Sequence, residues 1–263
     1  MNKLEPRDSY WEKRGMLSFL YKGEAFYTVT PIPYYYRRRS LLLELMKPII
    51  GLPQVATICD FGCGDGWYVR YFSDVFKNKS WCGLDVSDSM LEKAKLLCPK
   101  VKFALSDKSI PFEQKFDAIY AITVFAHIMN DSDVIESFKY ISAKLEIKGY
   151  CLLFEQTGTR KSGSTYCTRA YTDYIDYANH VGLSLESQEL ISFPAHRFFE
   201  KIIAPCYRRF FSKGTNNVER CINANKSLVY RFLSRIMLLF SILPIKKNSV
   251  SKNGYTFYVF RKY

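Results

Sequence analysis

Histidine is scarce in this chain of 263 residues. His127, His180 and His196 are the whole supply, scattered along the sequence, which argues against an imidazole-built metal centre. The eight cysteines contain no Cys-x-x-Cys pair, and Cys59, Cys82 and Cys151 fall inside strand-like apolar runs. They read as reduced core thiols of a cytosolic protein, not as disulfides or zinc ligands. Met1–Tyr10 is polar where a secretion signal would be apolar, so none is expected. In the C-terminal third the longest uncharged run is Ile236–Ile245, while a membrane-spanning helix needs about 20 apolar residues. Acidic residues are also lacking there. Residues 194–263 hold 14 Lys/Arg against 2 Asp/Glu, whereas residues 1–193 are nearly balanced at 24 against 23. The net charge of +13 therefore belongs almost wholly to the last third. With 48% hydrophobic residues the chain can bury a full core, which excludes disorder on compositional grounds.

The most informative segment is Thr57-Ile-Cys-Asp-Phe-Gly-Cys-Gly-Asp-Gly66. A short apolar strand runs into Asp60 and then into alternating glycines at 62, 64 and 66, around Cys63. Such a turn lets a ligand approach backbone closely. The dinucleotide pattern Gly-x-Gly-x-x-Gly fails, because Trp67 occupies the third glycine position. That argues against a nucleotide-dependent oxidoreductase. A second strand, Trp81–Val86, ends in Asp85, which stands 23 positions after Gly62. Nucleotide-binding α/β folds place an acid for the ribose hydroxyls about 20 residues on, and a carboxylate accepts from two neighbouring hydroxyls at once. Ser87 or Asp88 supplies the cap of the following helix, which leaves Asp85 for the ligand.

Strands and helices alternate from residue 55. The sequence predicts strands at 56–61, 81–86, 101–105, 116–123 and 150–156, with helices at 65–77, 88–97, 131–146 and 171–181. The strands carry few charges, as parallel strands covered on both faces do. Val134, Phe138, Ile141 and Leu145 mark the buried face of one helix, with caps from Asn130–Asp133 and a stop at Gly149. Leu183–Ile191 and Gly254–Arg261 form a terminal antiparallel pair. The expected fold is α/β: a Rossmann-like, doubly wound, mostly parallel seven-stranded sheet with a terminal antiparallel hairpin and a helical insertion.

The Asp-x-Gly-x-Gly-x-Gly loop followed by Asp85 resembles class I S-adenosylmethionine-dependent methyltransferases, in particular the small-molecule methyltransferases of the quinone-biosynthesis type. The resemblance covers about residues 55–193 and 253–263. It implies S-adenosyl-L-methionine as cofactor, held by Asp60, Gly62, Cys63, Gly64, Gly66, Asp85, Val86, Ser106 and Asp107. Arg37 or Arg38, on an N-terminal helix running from Tyr34 through Met46 and stopping at Pro48, would meet the methionine carboxylate. Val124-Phe-Ala-His-Ile128 is similar to the family's Val-Leu-Glu-His-Val/Ile segment but has Ala126 in place of glutamate. His127 is then the candidate base, with Glu155 as a second base or an acceptor contact. Tyr166 and Arg169 resemble a substrate-side Tyr-x-x-Arg element. No Asn/Asp-Pro-Pro-Tyr/Phe motif follows the fourth strand, which disfavours a planar nitrogen target.

The expected organisation is an N-terminal helical cap (1–54), a methyltransferase domain (55–193 and 253–263) and a basic insertion (194–252). The expected reaction is O-methylation of a small-molecule or glycan acceptor, lipid-linked in one variant. An RNA methyltransferase and a catalytically silent binding module are the alternatives. The insertion mixes Phe198–Phe211 with Arg197, Lys201, Arg208 and Arg209. Its predicted helix, Ser227–Leu243, puts Arg231, Ser234, Arg235 and Ser241 on one side together with Leu238 and Ile242, and Val229, Phe232, Leu233 and Ile236 on the broad remainder. A lid, a homodimer surface and an interfacial helix on anionic lipid compete, ahead of nucleic acid. The matching location is the cytoplasm, peripheral at the inner face of a membrane.

Overall fold

In the computed structural model the described residues are 32–106, 110–163, 166–193, 198–215, 220, 223–224, 226–239, 245–246 and 253–263. The strand-forming runs are β1 Thr57–Phe61, β2 Ser80–Asp85, β3 Lys102–Leu105, β4 Phe116–Ile122, β5 Leu145–Gly158, β8 Leu183–Ser192 and β10 Asn253–Lys262, with short pieces β6 Lys161–Ser162, β7 Cys167–Thr168 and β9 Ile245–Lys246. The helices are α1 Ile32–Ile50, α2 Trp67–Val75, α3 Asp88–Leu97, α4 Asp131–Lys144, α5 Tyr171–Asn179, α6 Ala204–Phe211 and α7 Leu228–Leu239.

The large sheet has the order β3-β2-β1-β4-β5-β10-β8-β9. The first five strands pair in parallel, and β10 runs antiparallel to both β5 and β8. This is the expected doubly wound sheet with its antiparallel end, plus a two-residue strand at the edge. The chain winds outward from β1 to β3, then returns to place β4 on the other side of β1. That reversal opens a crevice at the carboxyl ends of β1 and β4.

Each central strand is buried on both faces. Cys59, Phe61, Cys82, Leu84, Ile119, Ala121, Cys151 and Leu153 pack with Val134, Phe138 and Ile141 of α4 and Tyr174 and Ala178 of α5. Phe125 and Phe138 stack with ring centroids 4.8 Å apart. The strand alternation turns Asp60 and Tyr120, paired in register, to the opposite face from Cys59. There Tyr120 meets Phe72 of α2 edge-on.

Three expectations are corrected. Helix α1 does not stop at Pro48 but runs to Ile50. Pro48 costs one bond close to the end, and Leu42, Met46 and Ile50 keep a buried stripe at four-residue spacing. Helix α4 ends at Lys144, not at Gly149, because β5 begins at Leu145. Gly149 sits inside that strand, where a Cβ would lie 2.8 Å from Glu146 O. The cysteines are not all core residues: Cys206 is exposed, while Cys59, Cys63, Cys82, Cys98, Cys151 and Cys167 are buried.

The chain divides into two compact units. The first takes in Leu45–Ile191 and Lys246–Tyr263, and the second Ser192–Ile245 with residues up to Glu44 of α1. The second unit has its own small core of Phe199, Ala204, Ala224 and Tyr230, with Ile203, Tyr207 and Leu233 against it.

Candidate active site

The glycine loop is folded back onto β2. The amides of Gly62 and Cys63 both donate to Leu84 O at 2.8 Å, and Gly66 N donates to Cys63 O at 3.0 Å. Gly62, Gly64 and Gly66 have φ of 79°, 55° and 76°, in the left-handed region that side chains disfavour. Gly62 is also sterically required, since a Cβ there would come within 2.5 Å of Val124. Gly64 differs: nothing lies within 4 Å of where its Cβ would be, so its α-carbon faces open space. A ligand can come against backbone at that point.

Asp85 ends β2 beside that opening. Its Oδ2 accepts from Gly64 N at 2.8 Å and its Oδ1 from Ser87 N at 3.1 Å. A carboxylate offers about four acceptor positions, so one group can brace the loop and accept from a ligand's hydroxyls. Ser87 caps α3 through its hydroxyl, which accepts from Met90 N at 3.3 Å. Val86 is half-buried just past the strand end, and Ser106, at the end of β3, donates its amide to Asp85 O at 2.8 Å. Asp107 lies outside the described residues.

Asp60 is buried, and desolvation pushes its carboxyl up to about 8. Tyr120 opposes the shift and the negative Asp85 adds to it. Asp65, inside the glycine loop, is buried too, and desolvation takes it to about 6 while Lys93 holds it down. Lys93 in turn is lowered by its own burial. This electrostatic coupling of Asp65 and Lys93 was not singled out by the sequence, where Asp65 is an intervening position of the glycine pattern. Cys63 is buried and its thiol is pushed up by desolvation, so only its backbone faces the loop chemistry.

At the end of β4 the chain turns through Thr123, whose φ is 55°, into a short 3-10 turn at Phe125–His127. Two charged side chains grip this turn. Glu155 Oε1 accepts from Val124 N at 2.7 Å and Phe125 N at 2.8 Å, and Oε2 accepts from Ala126 N at 3.1 Å. Arg169 donates to Phe125 O at 3.0 Å, to Ile128 O at 2.7 Å and to Asp131 Oδ1 at 2.8 Å. Arg160 reaches the other Asp131 oxygen at 2.7 Å. Burial works against the Asp131 charge, but hydrogen bonds from Arg169 and Arg160 hold its carboxyl below the usual range.

This geometry revises two expectations. Glu155 is fully buried with both oxygens committed to backbone amides, which suits neither an acceptor contact nor a base. Burial raises it to about 7, with the three amides pulling the other way. Arg169 is likewise fully buried, so it braces the turn and is not a substrate contact. Asp131 and Arg160 were missed, because an aspartate in a helix's first turn reads as a partner of the helix dipole. Tyr166 keeps an exposed position, its ring against Gly163. His127 is half-buried in the gripped turn, its amide donating to Val124 O at 2.9 Å. Arg37 belongs to the second unit and is half-buried, with Arg38 buried beside it.

Residues 58–149 match the family described as the methyltransferase domain. The matched segment holds the whole glycine loop, Asp85 and the His127 turn. Residues 58–149 are a methyltransferase domain. Trans-aconitate 2-methyltransferase of Variovorax paradoxus is 33% identical over 95 residues, which are 34% of this chain and 37% of that protein. The chain spans about a third of the length of the curated relatives it matches. Solved structures extend the likeness of fold well beyond the methyltransferase domain. A candidate sarcosine dimethylglycine methyltransferase from Galdieria sulphuraria superposes with a TM-score of 0.63 at 14% identity, over 97% of this chain and 98% of that one. The O-methyltransferase of a Brevibacillus brevis trans-AT PKS multienzyme, solved with S-adenosyl-L-homocysteine, gives a TM-score of 0.60 at 16% identity, over 89% and 77%.

Proposed function

We propose that this chain is an S-adenosyl-L-methionine-dependent methyltransferase that O-methylates a small-molecule or glycan acceptor. The observation that carries the reading is the pairing of Gly64, open to approach, with Asp85 beside it at the end of β2. Gly62, Gly64 and Gly66 would lie against the cofactor through backbone, with Asp85 accepting from its ribose hydroxyls and Ser106 bordering the adenine. The cofactor supplies, when bound, an electrophilic methyl group on a sulfonium. The chain's own residues align the acceptor with it and exclude water. His127, on a turn fixed from both sides, is the group that would take the proton of an acceptor hydroxyl.

A lipid-linked acceptor fits the basic second unit, and with it a cytoplasmic protein working at the inner face of a membrane. The same charge supports RNA methylation as a second reading, which labelled methyl transfer to RNA would establish. Calorimetric titration with S-adenosylmethionine, and separately with NADH, is the first test. Binding of the former alone supports the proposal, and failure to bind it sinks it. Asp85→Ala is expected to weaken that binding by about 1.5–3 kcal/mol, the worth of charge-assisted contacts. An unchanged affinity would take Asp85 out of the site. His127→Ala is expected to lower turnover at least tenfold with cofactor affinity nearly intact, and wild-type turnover would leave His127 a structural residue.

A further inference from the structure

The second unit turns apolar side chains outward while burying polar ones. On α7, Tyr230 and Ser234 are buried, and Leu228, Val229 and Phe232 are exposed. The sequence pattern grouped Ser234 on one side with Arg231 and Arg235, yet Ser234 is buried where both arginines are exposed. Its hydroxyl donates to Arg231 O at 2.8 Å, which satisfies it locally and lets it enter the small aromatic core. That core is Tyr230 packed against Phe199 and Tyr207 at 5.3 and 4.9 Å. Satisfying it rotates Leu228 and Phe232 outward, 80% and 64% exposed, on the same face as Arg231 and Arg235.

Helix α6 repeats the arrangement. Phe210 and Phe211 are 71% and 74% exposed, and the Arg209 guanidinium lies over the Phe210 ring at 5.8 Å. Phe198 and Ile202 are exposed just before it. Of the thirteen large apolar side chains exposed among the described residues, seven fall between Phe198 and Phe232. Residues 194–252 carry 12 Lys/Arg and only two acids, Glu200 and Glu219.

We infer that this unit is a docking face for an anionic membrane surface, on which Phe210, Phe211, Leu228 and Phe232 enter the headgroup boundary while Arg209, Arg231 and Arg235 meet lipid phosphates. The occupant follows from the combination. Exposed apolar side chains are costly in water unless something covers them, and the scarcity of acids selects a negatively charged cover. Nucleic acid would use the charge but has little use for Leu228 or Val229, and a second copy would bring the same positive charge against itself. No helix among the described residues is long and apolar enough to cross a membrane, so contact would be peripheral. The inference rests on the second unit alone and not on methyl transfer.

The exposed Cys206 stands one turn before Phe210 and accepts a polarity-sensitive fluorophore, in the 263-residue chain carrying Cys221→Ser, Cys221 lying outside the described residues. Vesicles of phosphatidylcholine and phosphatidylglycerol (about 3:1) should shift its emission to the blue, and phosphatidylcholine alone should shift it at least tenfold less. Phe210→Ser with Phe232→Ser replaces two exposed rings and no residue of the small aromatic core. It is expected to keep the wild-type circular dichroism spectrum and lose at least fivefold in vesicle affinity. Arg209→Gln with Arg231→Gln and Arg235→Gln is expected to lose a similar factor and to flatten the salt dependence. Equal vesicle affinity for the folded aromatic variant would overturn the inference. So would a wild type that is dimeric by light scattering where the variant is monomeric. Single-stranded RNA bound more tightly than vesicles, with no effect of the aromatic changes, would also overturn it.

Discussion

A carboxyl buried next to another carboxyl takes the cheaper route and keeps its proton. Asp60, raised to about 8 from an ordinary value of 3.8, does this at neutral pH. Its folded-state affinity for the proton exceeds its unfolded one, so its contribution to stability is full below about pH 4. That contribution is lost as pH rises through 8. The slope between those limits approaches 1.4 kcal/mol per pH unit. Asp60→Asn copies the neutral form and is expected to flatten this part of the profile. Urea unfolding of wild type and variant at pH 5, 6, 7 and 8 checks it: the wild type should lose ground steadily to the variant. Parallel curves would mean that Asp60 is already ionised at pH 5.

The turn after β4 shows how elements fix chemistry at a distance. Val124–Ile128 has no long helix of its own, so its amides and carbonyls must find partners elsewhere. Glu155 on β5 satisfies three amides and Arg169 after β7 satisfies two carbonyls. Glu155→Gln replaces one acceptor oxygen with a donor facing an N–H, which should cost about 1.5–3 kcal/mol in unfolding free energy. Turnover should fall with it, because His127 loses its fixed position, while S-adenosylmethionine affinity holds. A glutamine variant with wild-type stability and no turnover would instead restore Glu155 as a base. Much of the fold was legible in the sequence, since β1, β2 and β4 are short, mostly apolar runs, each followed by a turn and a helical stretch. The grip on the turn was not. Glu155 and Arg169 are 29 to 44 residues from the backbone groups they hold, and the pairing of β4 with β5 together with the bridge between Thr157 and Arg169 brings them there. Ser234 was grouped with Arg231 and Arg235 for a related reason: periodicity ranks side chains by polarity and cannot see a hydroxyl satisfied by its own helix.

At the scale of the whole chain the charge is lopsided, with residues 1–193 nearly neutral and residues 194–263 at 14 basic against 2 acidic. Like charges held together by folding repel one another, and that repulsion is relaxed when the chain expands. Ion pairs act oppositely under salt, but those described are few, and the pairs of Asp131 sit in the first unit. Screening lengths fall from about 30 Å at 0.01 M to about 8 Å at 0.15 M salt, so the self-repulsion of the basic third is suppressed over that range. The thermal midpoint is therefore expected to rise by a few degrees between 0.01 and 0.3 M NaCl. A polyanion at low salt should raise it further, since it binds the folded arrangement of charges. Differential scanning fluorimetry across the salt series tests this. A midpoint that falls with salt would mean that ion pairing outweighs repulsion. The charge of the last third would then be largely neutralised within the fold and unable to serve as a surface for anions.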